Sequence, residues 1–156
     1  MTFQLAQINI AKLIATIDDP LIADFVAQLD TINTLAEQSK GFVWRLKDDS
    51  NNATSVNPFD DPLIIVNMSV WESVEDLKNF AYKSSHVEVF AQRERWFVKM
   101  PEAHMALWWV AEGDHPTAEE GRDRLLHLRT HGDTPHAFSF RKIMPRPEKS
   151  IQPTET

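Results

Sequence analysis

The chain has 156 residues and a mass of 17.9 kDa, which is enough for one compact domain and too little for two ordinary ones. Hydrophobic residues make up 42% and charged residues 25%, which excludes disordered and low-complexity classes for the bulk of the chain. The formal net charge of -7 argues against a nucleic-acid partner, and the lack of cysteine excludes disulfides, thiolate metal sites and cysteine nucleophiles.

The sequence carries no signal for export or membrane insertion. No apolar run approaches the roughly 20 residues that span a bilayer. The segment MTFQLAQINIAKLIATIDD lacks the basic start and the clear small-residue cleavage site of a signal peptide. We therefore expect a cytoplasmic protein with no membrane partner.

The first predicted elements are a strand and a helix. Residues 3–10 alternate between two sides, and Gln7 and Asn9 fall on the same side. The segment Asp18-Asp19-Pro20 is typical of a helix start, with a capping acid followed by proline in the first turn. Apolar residues then recur at helical spacing, and the helix is expected to end near Gly41.

The next two predicted strands enclose a polar loop. They cover Phe42 to Lys47 and residues 62–71, and we expect the loop from Asp48 to Asp61 between them to be mobile. The later strand has one uniformly apolar face and one mixed face, the latter formed by Leu63, Ile65, Asn67, Ser69 and Trp71. Helices would cover the apolar face, so the mixed face would meet a cavity or a partner subunit.

The second half alternates between helices and strands. Helices are predicted over residues 73–82, from the capping box at Ser85 to about Lys99, and from Thr117 to about Gly132. Strands are predicted over residues 105–112 and 137–143. Residues 146–156 contain few apolar side chains and are expected to form a disordered tail.

The element order β-α-β-β-α-α-β-α-β predicts an α+β fold. Its first part is the ferredoxin-like β-α-β-β-α-β pattern, and the last helix and strand extend it. We expect one domain over residues 1–145. Because the predicted helices suffice for only one side of the sheet, we also expect a homodimer.

The segment from Val70 to Phe97 resembles the antibiotic-biosynthesis-monooxygenase group of the dimeric α/β-barrel superfamily. The motif is Trp71-Glu72-Ser73 at a strand end, then a short helix, then Ser85-His86. More specifically, the chain resembles the DUF3291 family over about residues 3–145, through Ala106 to Val110, Pro116-Thr117, Arg124-Leu125 and Thr134 to Phe138. The resemblance implies a ferredoxin-like fold and a dimer whose two sheets pack into a barrel. It implies no particular reaction.

One predicted helix carries a stripe that differs from a plain core stripe. His86, Phe90, Arg93 and Phe97 recur at i, i+4, i+7 and i+11, and Trp96 flanks them. As a pocket wall, the stripe would use His86 as a proton acceptor or donor and Arg93 to hold an anionic group. The alternative is a structural Arg–carboxylate pair and a capping or interface histidine.

Polar side chains on two predicted strands form a second candidate. Asn67, Ser69 and Trp71 share the mixed face, and Gln7 and Asn9 would join them if the two strand faces coincide. In the related haem-degrading enzymes an Asn, a Trp and a His react together, and the resemblance matches these to Asn9, Trp71 and His86. The alternative role of Asn67 and Ser69 is hydrogen bonding at a dimer interface.

Five tryptophans are candidates for ligand contact or for core packing. We include Trp44, Trp71 and Trp96 in the candidate site, while Trp108 and Trp109 must face opposite sides of one strand. Large aromatic side chains more often fill a core or an interface than bind a ligand.

The histidines do not predict a metal site. His127 and His131 lie four residues apart on the last predicted helix, and His136 follows, but no glutamate stands in the HExxH arrangement. A helix end rich in His and Arg is better explained by the negative end of the helix dipole.

The main hypothesis is a homodimeric α/β-barrel protein that binds a small apolar or aromatic molecule. Its chemistry would be oxygenation, isomerisation or a related proton transfer by His86 and Arg93, without a cofactor. One alternative is a binding or structural dimer without catalysis. Another is a haem-binding protein that uses His86.

Overall fold

The structure is a computed structural model, and it describes residues 2–47, 57–84 and 95–147. The strands are β1 (Phe3–Leu13), β2 (Phe42–Arg45), β3 (Ile64–Trp71), β4 (Phe97–Val98) and β5 (Met105–Ala111). A 3₁₀ turn (Pro20–Ile22) leads into the helices α1 (Ala23–Ala27), α2 (Leu29–Glu37), α3 (Val74–Ser84) and α4 (Ala118–His131). The fold is mixed α+β, as predicted.

The strands form one antiparallel sheet with β1 at its centre. Strand β3 pairs with one edge of β1, and β2 pairs with the outer edge of β3. Along the other edge of β1, β5 pairs with the first part of the strand and β4 with its last two residues. The long first strand therefore joins every part of the sheet except β2.

The uniformly apolar face of the sheet lies under α4. Ile8, Met68 and Trp108 are fully buried there, together with Leu125 of the helix, and Leu128 is nearly so. Gly121 allows the close approach, because a Cβ at this position would lie 2.9 Å from the sulfur of Met68. Trp108 lies in this core and Trp109 packs against a cluster on the other face, so the prediction that the two indoles face opposite sides is confirmed.

Helices α1 to α3 lie on the mixed face, in two separate apolar clusters. The first, which we call the Trp71 cluster, includes Leu5, Trp71, Leu77 and Leu107, with Phe80 against it. The second, the Trp96 cluster, consists of the buried residues Leu13, Ile22, Phe25 and Trp96 with apolar neighbours. Helices therefore cover both faces, so the expectation that they suffice for only one side is wrong.

The predicted capping residues are confirmed at two helix starts. Asp19 Oδ1 accepts a hydrogen bond from the backbone N–H of Leu21 at 2.9 Å, with Pro20 in the first turn. Thr117 Oγ1 accepts one from the backbone N–H of Glu120 at 3.1 Å. These side chains satisfy donors that a helix start would otherwise leave unpaired.

Two predicted elements are wrong in part. Residues Phe97 and Val98 belong to strand β4 opposite Leu13 and Lys12, so no helix continues to Lys99. Residues 137–143 form no strand; Phe138 alone pairs with Leu107 of β5, as an isolated bridge. The chain then turns, because Asp133 Oδ1 accepts hydrogen bonds from the N–H and the hydroxyl of Ser139, both at 2.7 Å.

The polar loop predicted over residues 48–61 lies largely outside the described residues. Its last part is held in place, since Asn57 Nδ2 donates to the carbonyl of Asp61 at 2.8 Å. Asp61 in turn pairs with Lys12 at 3.0 Å. The backbone N–H of Leu63, and then Lys12, hold the pKa of the Asp61 carboxyl below its usual value.

Candidate functional site

The polar side chains of the mixed face come from cross-strand neighbours of β1 and β3. Gln7 lies opposite Ser69, and Asn9 lies opposite Asn67. Directly opposed residues project to the same face, so the two strand faces coincide, as the cavity hypothesis requires. We call these four residues the polar strip.

Gln7 is the centre of the polar strip. Its Nε2 donates to Asn67 Oδ1 and to Ser69 Oγ, both at 2.8 Å, and the residue is 3% exposed. Both hydrogens of the amide are thereby used. Since Asn67 Oδ1 accepts from Gln7, the Asn67 amide presents its Nδ2 donor to the surroundings.

The strip continues to Trp71 through Ser69. Trp71 Nε1 donates to Ser69 Oγ at 2.7 Å, so the hydroxyl oxygen accepts two hydrogen bonds and its own proton is left to donate. The indole is fully buried between Phe42, edge-on at 5.5 Å, and Phe80, stacked at 5.2 Å. This packing fixes the direction of the indole N–H.

The other end of the strip is open. Asn9 and Asn67 are exposed, whereas Gln7 and Ser69 are buried. The strip is flanked by the Trp71 cluster towards one end of the strands and by the Trp96 cluster towards the other. Exposed amides between two apolar clusters provide a few polar contacts within an apolar lining, as small-molecule sites do.

Trp96 offers a further unused donor. Its ring is fully buried beside Phe25, with centroids 5.9 Å apart. Its Nε1 has no hydrogen-bond partner among the residues that the structure describes. A buried N–H without an acceptor costs free energy, so a ligand oxygen or a water that reached it would stabilise it.

The remaining candidate residues are dispersed or outside the described residues. Phe97 lies in β4 next to Trp96, and their rings meet at 6.4 Å. Trp44 lies on the opposite face, stacked on His115 at 4.9 Å. His86, Phe90 and Arg93 lie outside the described residues. The two proposed catalytic groups and the haem hypothesis, which depend on them, stay predictions.

Sequence reasoning placed Gln7 on the same face as Asn9 but did not identify it as the centre of the polar strip. The available signal was its alternation on β1, which puts it on the same side as Asn9. What the sequence could not give is the side-chain conformation that turns Gln7 towards both Asn67 and Ser69.

Within residues 2–47, 57–84 and 95–147, no group of three or more His, Asp or Glu side chains is arranged to hold a metal ion. In the same ranges, no helix has the length and apolar character needed to cross a membrane.

The chain matches a known family over most of its length. The profile of DUF3291, described as a domain of unknown function, matches residues 4–154. A comparison with curated proteins gives no match.

Proposed function

Because the chain belongs to the DUF3291 family, a domain of unknown function, we propose a function from its geometry: it binds a small, largely apolar molecule on the polar strip. The observation that carries this proposal is the polar strip itself. Its two exposed amides, Asn9 and Asn67, lie between two apolar clusters that contain buried indoles.

The hydrogen-bond directions favour a ligand that carries an acceptor. Gln7 occupies the oxygen of Asn67, and Ser69 already accepts twice, so both side chains have donors to offer. A carbonyl or hydroxyl oxygen on a flat apolar molecule would match them. The apolar clusters would supply most of the affinity, and the amides would set the orientation.

The proposal includes a catalytic form. In it, His86 acts as acid or base and Arg93 holds an anionic group, in an oxygenation or isomerisation. The support is the sequence resemblance and the placement of both residues on one predicted helix face. A binding protein without catalysis is the second candidate, and it is favoured by the involvement of Gln7 and Ser69 in fixed hydrogen bonds.

The proposal also includes a ferredoxin-like arrangement and a homodimer of the dimeric α/β-barrel superfamily. The antiparallel order β2-β3-β1-β5 supports the first. The homodimer rests on the sequence resemblance. Since α4 covers the apolar face of the sheet, a second copy would meet the open side of the polar strip or a sheet edge.

Binding to the polar strip can be tested with flat aromatic alcohols and ketones, beginning with 1-naphthol, by ligand-observed NMR. We expect saturable binding that Asn67→Ala weakens about tenfold, because a tenfold loss of affinity corresponds to the loss of one hydrogen bond between neutral groups. Asn79→Ala is the matched control, since Asn79 is exposed on α3. Equal binding by both variants would contradict the assignment of the site.

The homodimer can be tested by light scattering at micromolar concentration. We expect twice the chain mass of 17.9 kDa. A mass of one chain would refute the dimer and leave the binding site to be judged separately by 1-naphthol.

A further inference from the structure

Helix α4 carries a polar stripe that the proposed function does not use. Glu120, Arg124, His127 and His131 recur at i, i+4, i+7 and i+11, on one side of the helix. The His127 and His131 rings lie 4.3 Å apart between centroids. His136, from the segment after the helix, adds a third ring 4.5 Å from His127.

The segment with His136 runs along the outer edge of β5. We call residues Thr134 to Phe138 the strap. Phe138 exchanges two backbone hydrogen bonds with Leu107, at 2.8 and 2.9 Å. Ala137 and Phe138 are fully buried. The strap thus pairs part of a strand edge and buries an aromatic ring, although it is not itself a strand.

Arg124 holds the strap through His136. Its Nη1 donates to the carbonyl oxygen of His136 at 2.9 Å and contacts Nδ1 of the same residue at 3.1 Å. A guanidinium has only donors, so Nδ1 must be the acceptor and the ring proton must lie on Nε2. This contact exists only while the imidazole is neutral.

Protonation of His136 would place a positive charge next to a second cation and near a buried nitrogen that lacks a hydrogen-bond partner among the described residues. Arg124 is in direct contact, and the Nδ1 of His127 is buried without a hydrogen-bond partner in the described part of the chain. On the side of β5, Leu107 and Trp108 contribute no charge. The His131 ring contacts the His127 ring, which in turn contacts the His136 ring.

The carboxylates near the strap are already paired. Glu120 contacts Arg124 at 3.4 Å, and Asp123 contacts Arg122 at 3.2 Å. Asp133, within the turn that follows α4, accepts from Ser139. Partial desolvation of the ring, followed by Arg124 and His127, lowers the pKa of His136, and Glu120 and Asp123 oppose this shift.

We propose that His136 makes the strap a proton-released latch over the outer edge of β5. The neutral imidazole accepts from Arg124 and keeps the strap docked. When His136 binds a proton, the Nδ1 contact becomes a repulsion between two cations, and the strap detaches. Detachment frees the edge hydrogen-bonding groups of Leu107 and exposes Phe138. Protons have access to the ring, since His136 is exposed.

The direction of the pH dependence follows from linkage. The docked histidine has a pKa below the ordinary value of about 6.5, so the undocked state binds more protons in acid. The stabilisation of docking is complete above about pH 6.5. It is lost as the pH falls from there through the lowered pKa of the docked ring.

Amide hydrogen exchange measured by NMR from about pH 7.5 to pH 5 tests the latch. Observed rates are divided into intrinsic rates, because intrinsic exchange itself depends on pH. We expect protection of the Leu107 and Phe138 amides to fall by up to about tenfold per pH unit below about pH 6.5. The Leu46 amide, bonded to Met68 at 2.9 Å elsewhere in the sheet, is the control and should keep its protection.

Two variants separate the latch from general acid sensitivity. His136→Asn keeps an acceptor near the Nδ1 position without a titrating group, so its protection should not change with pH. His115→Asn removes a histidine stacked on Trp44 and should behave as the wild type. A fall of the same size in His136→Asn, or at Leu46, would overturn the latch.

The NMR titration of His136 gives a second readout that does not depend on His136→Asn folding. In the wild type the ring should titrate below about pH 6.5, and in Arg124→Gln its pKa should rise. A wild-type titration at or above pH 6.5, or no change in Arg124→Gln, would contradict the latch.

Discussion

The two faces of the sheet differ although the same strands build both. On the apolar face, helix α4 closes a continuous core over β1, β3 and β5. On the mixed face, the helices gather into two clusters, and the polar strip lies between them. Alternation along β1 and β3 therefore separates a face that stabilises the protein from a face that offers hydrogen bonds.

The difference is sharpest at two glutamines of β1. Gln7, on the mixed face, is buried and donates both amide hydrogens to Asn67 and Ser69. Gln4, on the apolar face, has a buried Oε1 without a hydrogen-bond partner among the described residues. The two glutamines thus differ: both amide hydrogens of Gln7 are used, whereas the amide oxygen of Gln4 has no partner among the described residues.

The largest loss of stability is expected when a side chain in the core under α4 is shortened. Leu125 is fully buried there, and Leu125→Ala should lower the free energy of unfolding by about 3 kcal/mol through lost transfer energy and a cavity. Urea denaturation measures this loss. Leu126→Ala is the matched control, because Leu126 is 42% exposed and should change stability little. If the faces act separately, binding of 1-naphthol by the folded Leu125→Ala protein stays unchanged.

A smaller change in stability is expected when either of the two glutamines is replaced by leucine. Gln7→Leu removes the donor to Asn67 and one of the two donors to Ser69, and it should cost about 2 kcal/mol of unfolding free energy. Gln4→Leu removes a buried, unpaired oxygen and should be neutral or stabilising. Both variants can be compared by chemical denaturation. An equal loss in the two would show that the faces do not differ as described.

The smallest loss of stability is expected when the capping side chain at the start of α4 is removed. Thr117→Ala removes the hydrogen bond to the Glu120 amide and should cost about 1 kcal/mol, measured as a lower Tm. Thr130→Ala, later in the same helix, removes only a bond to the carbonyl of Leu126 and should leave Tm nearly unchanged. A loss at Thr130 as large as that at Thr117 would indicate that capping has no special weight in this helix.

Local patterns were sufficient to predict most elements of the fold. Capping residues placed the starts of the first helix and of α4, and alternation on β1 and β3 placed Asn9, Asn67 and Ser69 on one face. These features depend on neighbours in sequence or on the simple period of a strand.

Features that depend on distant partners were missed. Phe97 continues an apparent helical stripe, yet it pairs with Leu13 at the far end of β1. Trp44 lies on the apolar face, because a register shift between Phe42 and Trp44 reverses the alternation of β2. Neither the pairing nor the shift leaves a signal in the local pattern.

The central position of β1 has a consequence for synthesis. The strand leaves the ribosome before β3 and β5, and the Gln7–Asn67 contact spans 60 positions of the chain. Until those partners are made, β1 has two unpaired edges and an apolar side, a combination that favours aggregation. Until β5 has been synthesised, the nascent chain should therefore depend on a chaperone to avoid aggregation. The high sequence separation of these pairings also predicts slow folding for a chain of this size.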